Sequence, residues 1–297
     1  MARHSDLTQT RALPRAPVRR LPVALLHRCG THVLLLVGTA FFFGPIVIAF
    51  STSLQTYSQI VHLPPDIWPH PFAWSNFPDA LQSFPFWRDL YNTVVNYGLV
   101  SFIGTMLTAP LSAFALSRLR SRFRTPLFIV VLASLMLPQQ ATIIPLYIAF
   151  AHLHLVGTYV PLVVANYLGG APFNIFLLRQ FMLTIPHELD EAARIDGASS
   201  WHLYLRIILP LTKPALAVMA LLHFLYVFND FFAPLIYLND PSRFTLAIGL
   251  AQLNTFYAAQ YNDIMAASVM VMIPLIAVFI VAQRYLTEGI ALSGIKA

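Results

Sequence analysis

Charge is what this sequence lacks most. Only 10% of its 297 residues are Asp, Glu, Lys or Arg, against 58% hydrophobic, and the mean hydropathy is +0.68. Soluble domains carry about 25% charged residues, so a soluble globular class is excluded. Disorder needs low hydrophobicity and is excluded with it. Cysteine is nearly absent: Cys29 stands alone, which excludes a disulfide scaffold. Lysine is scarce too, with only Lys213 and Lys296, preceded by Thr212 and Ile295. Neither completes G-x-x-x-x-G-K-[ST], so the chain binds no ATP through a P-loop. His187-Glu188 lacks the second histidine of H-E-x-x-H, and His152 and His154 have no third ligand nearby. No catalytic set and no metal site is legible. The net charge of +6 sits on a chain too apolar for a nucleic-acid-binding domain.

What is present is apolar sequence in long uninterrupted runs. No charged residue occurs in 29–65, 90–117 or 125–178. The last run is long enough for two helices of about 20 residues joined by a hairpin. With Pro214–Leu238 and Ile264–Ala282, six spans are predicted, near 31–51, 91–116, 126–150, 159–178, 214–238 and 264–284. The runs are continuous rather than alternating, which selects helices over a membrane β-barrel. The expected class is an all-α integral membrane protein.

The basic residues orient it. With the N-terminus inside, 16 of the 18 Lys and Arg residues fall in inner segments, and Arg88 and Arg243 alone lie outside. That asymmetry puts both termini in the cytoplasm of a cell membrane. Residues 1–30 form a basic head, 31–285 the six-helix domain and 286–297 a cytoplasmic tail. The first apolar run has spanning length and no Ala-x-Ala site follows it, so it reads as a retained anchor rather than a signal peptide.

Two outer loops stand out. Segment 52–90 holds Pro64, Pro65, Pro69, Pro71, Pro78 and Pro85 with Trp68, Trp74 and Trp87. Such proline density forbids long helices, and the tryptophans suit either an interfacial collar or a docking surface for an extracytoplasmic partner. Segment Asn239–Asn262 opens on the turn signal Asn239-Asp240-Pro241-Ser242 and reads as a connector or a second partner contact.

The inner loop, 180–213, is the informative one. Glu188, Asp190, Glu191, Arg194, Asp196, Arg206 and Lys213 keep it out of lipid. Pro186 suits the first turn of a helix, Glu188 and Asp190 favour its positive end, and Gly197 is a natural stop. Asp190 and Arg194 have the i, i+4 spacing of an ion pair. Ser199 or Ser200 caps a second helix, on which Trp201, Leu205 and Ile208 share one apolar face. The pair is either an amphipathic hairpin on the inner membrane surface or a fit for a groove in another protein. Its acidic first helix favours the protein partner, because membrane-surface helices are usually basic.

Glu191-Ala192-Ala193, three residues, Gly197, nine residues, then Ile207-Ile208-Leu209-Pro210 resembles the EAA signature of ABC-importer permeases. The string Ile185-Pro186-His187-Glu188-Leu189-Asp190-Glu191-Ala192-Ala193-Arg194-Ile195-Asp196-Gly197-Ala198-Ser199 is similar to the carbohydrate-uptake branch, the maltose and glycerol-3-phosphate type. Ala113-Phe114-Ala115-Leu116-Ser117-Arg118, Met136-Leu137-Pro138, Ile144-Pro145-Leu146-Tyr147 and Phe228–Leu235 agree. The end, Gly289–Ala297, is similar to the tail of the second permease of that type. The resemblance covers roughly residues 30–297. It implies a six-helix type I importer permease that pairs with a second permease, two ATPase subunits and an extracytoplasmic solute-binding protein. ATP and Mg would sit on the ATPases, and this chain would bind no cofactor and be no enzyme. Glu191, Ala192, Ala193, Asp196 and Gly197 would contact the ATPase, with Ser293, Gly294 and Lys296 of the tail as a weaker contact.

Asp230 is the one acid inside a predicted span, where a charge costs about 2.5–3.5 kcal/mol on insertion scales. With Asn229 it is the candidate for the translocation path, and Asn166, Asn174, Gln139 and Gln140 offer further amides. Interhelical hydrogen bonding is the competing reading for each. Pro138, Pro145, Gly169-Gly170 and Pro172 mark breaks that serve as hinges or as plain kinks. Two alternatives stay open: an ion-gradient-driven secondary transporter using Asp230, and an importer permease for a non-sugar solute.

Overall fold

The structure, a computed structural model, describes residues 21–62, 64, 67–169, 171–256 and 260–293. All regular structure among the described residues is helical. The chain divides into two compact units, residues 1–48 and 49–297. In the first lies most of a helix of 33 residues, Leu21–Ser53, whose Phe41 and Phe42 rings meet edge to face at 5.6 Å.

Among the described residues, four helices are long and apolar enough to cross a membrane: Gly30–Ser53, Phe86–Arg118, Val160–Thr184 and Tyr261–Gln283. Two bent pairs, Arg124–Leu135 with Gln139–His152 and Ser200–Leu211 with Lys213–Asn229, raise the number to six if each is one span. The first pair turns by 100° around Pro138, which has no N–H to continue the ladder. Pro138 is therefore a real break, whereas Pro145 sits inside the unbroken Gln139–His152. Gly169, at φ +135°, interrupts the fourth span before Pro172 starts its second half.

Three boundaries differ from the sequence expectation. The second span begins at Phe86 and takes in Arg88 and a buried Asp89, then widens into a π-type turn over Asn92–Leu99. The fifth helix stops at Asn229 and resumes only at Phe232–Tyr237, so Asp230 sits at a break rather than within a helix. The last helix runs on to Ser293, into the segment set apart as a tail. Asp263 also falls in the last span, so Asp230 is not the sole acid in a membrane-spanning range.

The second outer loop holds a larger surprise. After the turn at Pro241–Arg243, Leu246–Phe256 forms a helix of 11 residues with Leu246, Ile248 and Leu253 buried. It is too short to span, and an apolar run of that length belongs in a core. It packs with Ala80, Phe84, Phe228 and Ile264. Arg88 and Arg243 hold this region down. Arg88 Nη2 donates to the carbonyl of Pro241 at 2.8 Å, and Arg243 donates to the carbonyl of Gly157. Among the described residues of segment 54–85 only short helices form, Tyr57–Val61 and Asn76–Ser83, as its prolines require.

The second span is laced to its neighbours by a polar stripe. Ser101 Oγ lies 3.0 Å from His223 Nε2, Thr105 Oγ1 donates to Asn166 Oδ1 at 2.9 Å, and Thr108 Oγ1 donates to the Asn166 carbonyl at 2.7 Å. Between them, Gly104 lets the ring of Tyr167 close against the backbone: a Cβ there would sit 2.7 Å from the ring. Tyr167 cannot simply swing away, since its hydroxyl donates to the Val100 carbonyl at 2.8 Å. Gly104→Ala is expected to destabilise by about 1–3 kcal/mol, the usual range for overpacking. Thermal melting in detergent checks it, and in a Tyr167→Ala background the penalty should vanish.

Candidate functional site

The inner loop folds as two short helical stretches hinged at a glycine. The first is Glu188–Ile195, beginning two residues after Pro186 rather than at it. Glu188, Asp190 and Glu191 occupy its first turn, where carboxylates favour the exposed N–H groups. Its end is closed by Gly197 at φ +78°. The Gly197 N–H donates to the Arg194 carbonyl at 3.0 Å and the Ala198 N–H to that of Ala193 at 2.9 Å. This is the paired closure that a left-handed residue makes possible. Ser199 caps the next stretch by accepting from the His202 N–H at 3.2 Å.

Asp190 does not pair with Arg194. Its carboxylate is buried and Oδ2 accepts from Arg118 Nη1 at 2.9 Å, with His187 Nδ1 at 3.3 Å. The Arg118 side chain is wholly buried at the C-terminal end of the second span. Its Nη2 donates to the Ile185 carbonyl at 2.6 Å and also to that of Met182. Those carbonyls lie at the C-terminal end of Pro172–Thr184, where the backbone has no helical donors left. Losing one member of such a buried pair costs about 3–5 kcal/mol. Arg118 was visible in the sequence at the end of Ala113–Arg118, but nothing local shows a partner so distant in the chain.

The expected apolar face of the second stretch holds at Ile208 and is corrected at Trp201 and Leu205. Trp201 and Leu205 are 60% and 54% exposed, and the buried residues are Leu203, Tyr204 and Ile208. A π-type turn runs over Leu203–Ile208. The buried set joins Phe114, Leu178, Met182 and Ala193 in one cluster beneath the loop.

Of the five candidate ATPase-contact residues, Ala193 is thus buried in that cluster, while Glu191, Ala192, Asp196 and Gly197 are exposed together. Ile195, at 87%, is exposed beside them. The loop presents small and acidic side chains, with Arg194 and Ile195 exposed among them. Ser293 ends the last helix, its side chain lying outside the described atoms, and Gly294 and Lys296 lie outside the described residues.

The two path candidates separate. Asp230 is buried, at 8% exposure, in the bundle interior. Its Oδ2 accepts from Tyr97 Oη at 2.6 Å and its Oδ1 from the Ala233 N–H at 3.3 Å. Asn229 is exposed and its amide donates back to the Leu225 carbonyl at 2.8 Å. Asn174 is buried, Gln139 and Gln140 are exposed, and Asn166 is bonded to the second span as described above. The amides therefore do not converge. Tyr97 and His223, both buried, were not singled out from sequence, where an aromatic or histidine in an apolar run carries no signal of its own.

Comparison with known proteins places this architecture. Residues 102–291 match the family described as binding-protein-dependent transport system inner membrane component. The chain belongs to this family. It is a multi-pass transmembrane permease subunit of an ABC importer with the type I fold, and not an enzyme. It is 31% identical over 267 residues to the sn-glycerol-3-phosphate transport system permease protein UgpE of Yersinia enterocolitica, covering 87% of this chain and 94% of that one. It is 37% identical over 198 residues to the arabinooligosaccharides transport system permease protein AraQ of Halalkalibacterium halodurans, covering 67% and 70%. Among solved structures, a bacterial ABC transporter that imports the acidic polysaccharide alginate matches with a TM-score of 0.76. Identity there is 24%, over 89% of this chain and 98% of that one. This permease therefore shares the fold of a polysaccharide importer.

Proposed function

We propose that this permease, paired with a second one, forms the translocation path for a sugar or sugar-like solute. Two ATPase subunits drive it by docking on Glu191, Ala192, Asp196 and Gly197, with Ala193 packed beneath them. An extracytoplasmic binding protein delivers the solute, ATP and Mg reside on the ATPases, and both termini face the cytoplasm. The observation that carries this reading is the exposed tip of the inner loop, mounted on the buried Arg118–Asp190 pair at the inner end of a span. Small side chains there allow close approach, and the acids offer acceptors to a basic or amide group on a partner. A free membrane-surface hairpin has no use for such a footing.

The solute class is supported by relatives named for glycerol 3-phosphate and arabinooligosaccharides, and by a solved alginate transporter in complex with a periplasmic protein bound to an alginate pentasaccharide. Affinity purification from the native membrane in mild detergent, with mass spectrometry, is expected to recover a second permease and a P-loop ATPase. Recovery of the chain alone would sink the assembly. ATP-dependent uptake by the recovered complex with its binding protein is expected for an oligosaccharide or glycerol phosphate. Uptake of only a peptide or metal ion would overturn the solute class.

A further inference from the structure

We propose that Arg118 is the joint through which displacement of the inner-loop helix Glu188–Ile195 reaches two membrane spans at once. The inference rests on the docking reading above and goes beyond it by naming the residue that carries the movement onward. Arg118 is a positioning residue: it touches neither solute nor nucleotide. One planar guanidinium at the end of the second span donates to the Asp190 carboxylate of the loop helix and to the Met182 and Ile185 carbonyls ending the fourth span's helix. The fork geometry of arginine fixes these directions relative to one another, as a lysine ammonium does not.

A second contact runs the opposite way. Arg179, on the fourth span's helix, donates through Nε to the carbonyl of Leu116 on the second span at 3.2 Å. Its guanidinium also stacks over the Phe128 ring of Arg124–Leu135, 3.7 Å from the centroid. Each span thus covers an open carbonyl of the other, and they are tied as one body at their inner ends. The loop helix is attached to that body through Asp190 and through Ala193 in the cluster below. Asp190 Oδ1 and Arg118 Nε are buried without hydrogen-bond partners, so the ion pair is made through a single bond.

The test uses the purified assembly in nanodiscs, in a Cys29→Ser background, since Cys29 is the sole cysteine. Docking is read by photo-cross-linking from Ala192→Cys to the ATPase. Movement is read, in separate samples, from the distance between spin labels at Trp87→Cys and Tyr261→Cys, exposed at the outer starts of the second and last spans. ATP with vanadate is the probe. The parent is expected to cross-link and to change its label distance. Arg118→Gln is expected to cross-link as well but to lose more than half of that change, with Arg118→Lys intermediate.

A full distance change in Arg118→Gln would overturn the joint. Loss of the cross-link in that variant would also overturn it, by reducing Arg118 to a residue that shapes the loop. A parent that does not cross-link marks failure of the docking reading instead, and a parent that docks without any distance change leaves no movement for Arg118 to carry. If Arg118→Gln does not assemble, the isosteric Asp190→Asn decides by the same two readouts.

Discussion

Gly197→Val is expected to lower transport at least tenfold while leaving the protein inserted and at normal abundance. The reason is handedness rather than room. A Cβ at Gly197 would meet nothing within 4 Å, yet φ is +78°. A left-handed backbone costs an L-residue about 1–2 kcal/mol, and more for a β-branched one. The helix it closes is only eight residues long, and Gly197 supplies one of the two N–H groups that end it. Unwinding that turn moves Asp196 and Gly197 off the exposed tip without disturbing the buried Asp190. A series separates backbone from contact. Asparagine tolerates the left-handed region, so Gly197→Asn is expected to transport better than Gly197→Ala, and Ala better than Val. The reverse order for Asn and Ala would mean that side-chain bulk at the contact, not the turn, sets activity. Full transport by Gly197→Val would remove this turn from the coupling surface altogether.

The spans were readable because lipid imposes a one-dimensional rule: a helix that crosses it must be apolar for about 20 residues. Thus the gap in charge from Leu90 to Ser117 locates most of the second span, and Pro138 correctly marks a bend. The rule weakens where a helix is covered by protein instead of lipid. Leu246–Phe256 is as apolar as a span but half the length, so it passes for a loop until the Phe84, Phe228 and Ile264 side chains that bury it are placed. Asp89 shows the converse: its charge marks it as outer loop, although it is buried at the start of a span, beside Gly249.

The inner loop was readable in its chemistry and not in its attachments. The acids, the capping Ser199 and the stop at Gly197 are local devices, fixed by neighbours a few residues away, and each lies where local rules put it. Asp190 had two cationic partners open to it. The local one, Arg194, is exposed, while Arg118 is offered by the fold at a buried position where an ion pair is not diluted by water. Leu203 and Tyr204 share one buried cluster with Ile208, Phe114 and Met219, a partnership that the i, i+4 spacing of Trp201 and Leu205 cannot reveal.

Asp230→Leu is expected to abolish assembly, and Asp230→Asn to retain at least a third of wild-type transport. The carboxylate stands at the break between Lys213–Asn229 and Phe232–Tyr237, accepting from the Tyr97 hydroxyl and from the Ala233 N–H of the second helix's first turn. Leucine removes the acceptor of both donors, and a buried donor left unpaired costs about 1–3 kcal/mol. Asparagine keeps one oxygen for Ala233 and offers its amide to the Tyr97 oxygen, which accepts as readily as it donates. Tyr97→Phe should fall between the two, since it strips one of two partners from Asp230. A descending order of Asp230→Asn, Tyr97→Phe and Asp230→Leu is that of a structural brace. An ion-driven transporter using Asp230 as its proton or cation site predicts the opposite pattern: Asp230→Asn loses all uptake because the titrating group is gone, while Tyr97→Phe survives. Western blotting of membranes with uptake assays on the same cells reads both quantities, so loss of the protein is not mistaken for loss of its activity.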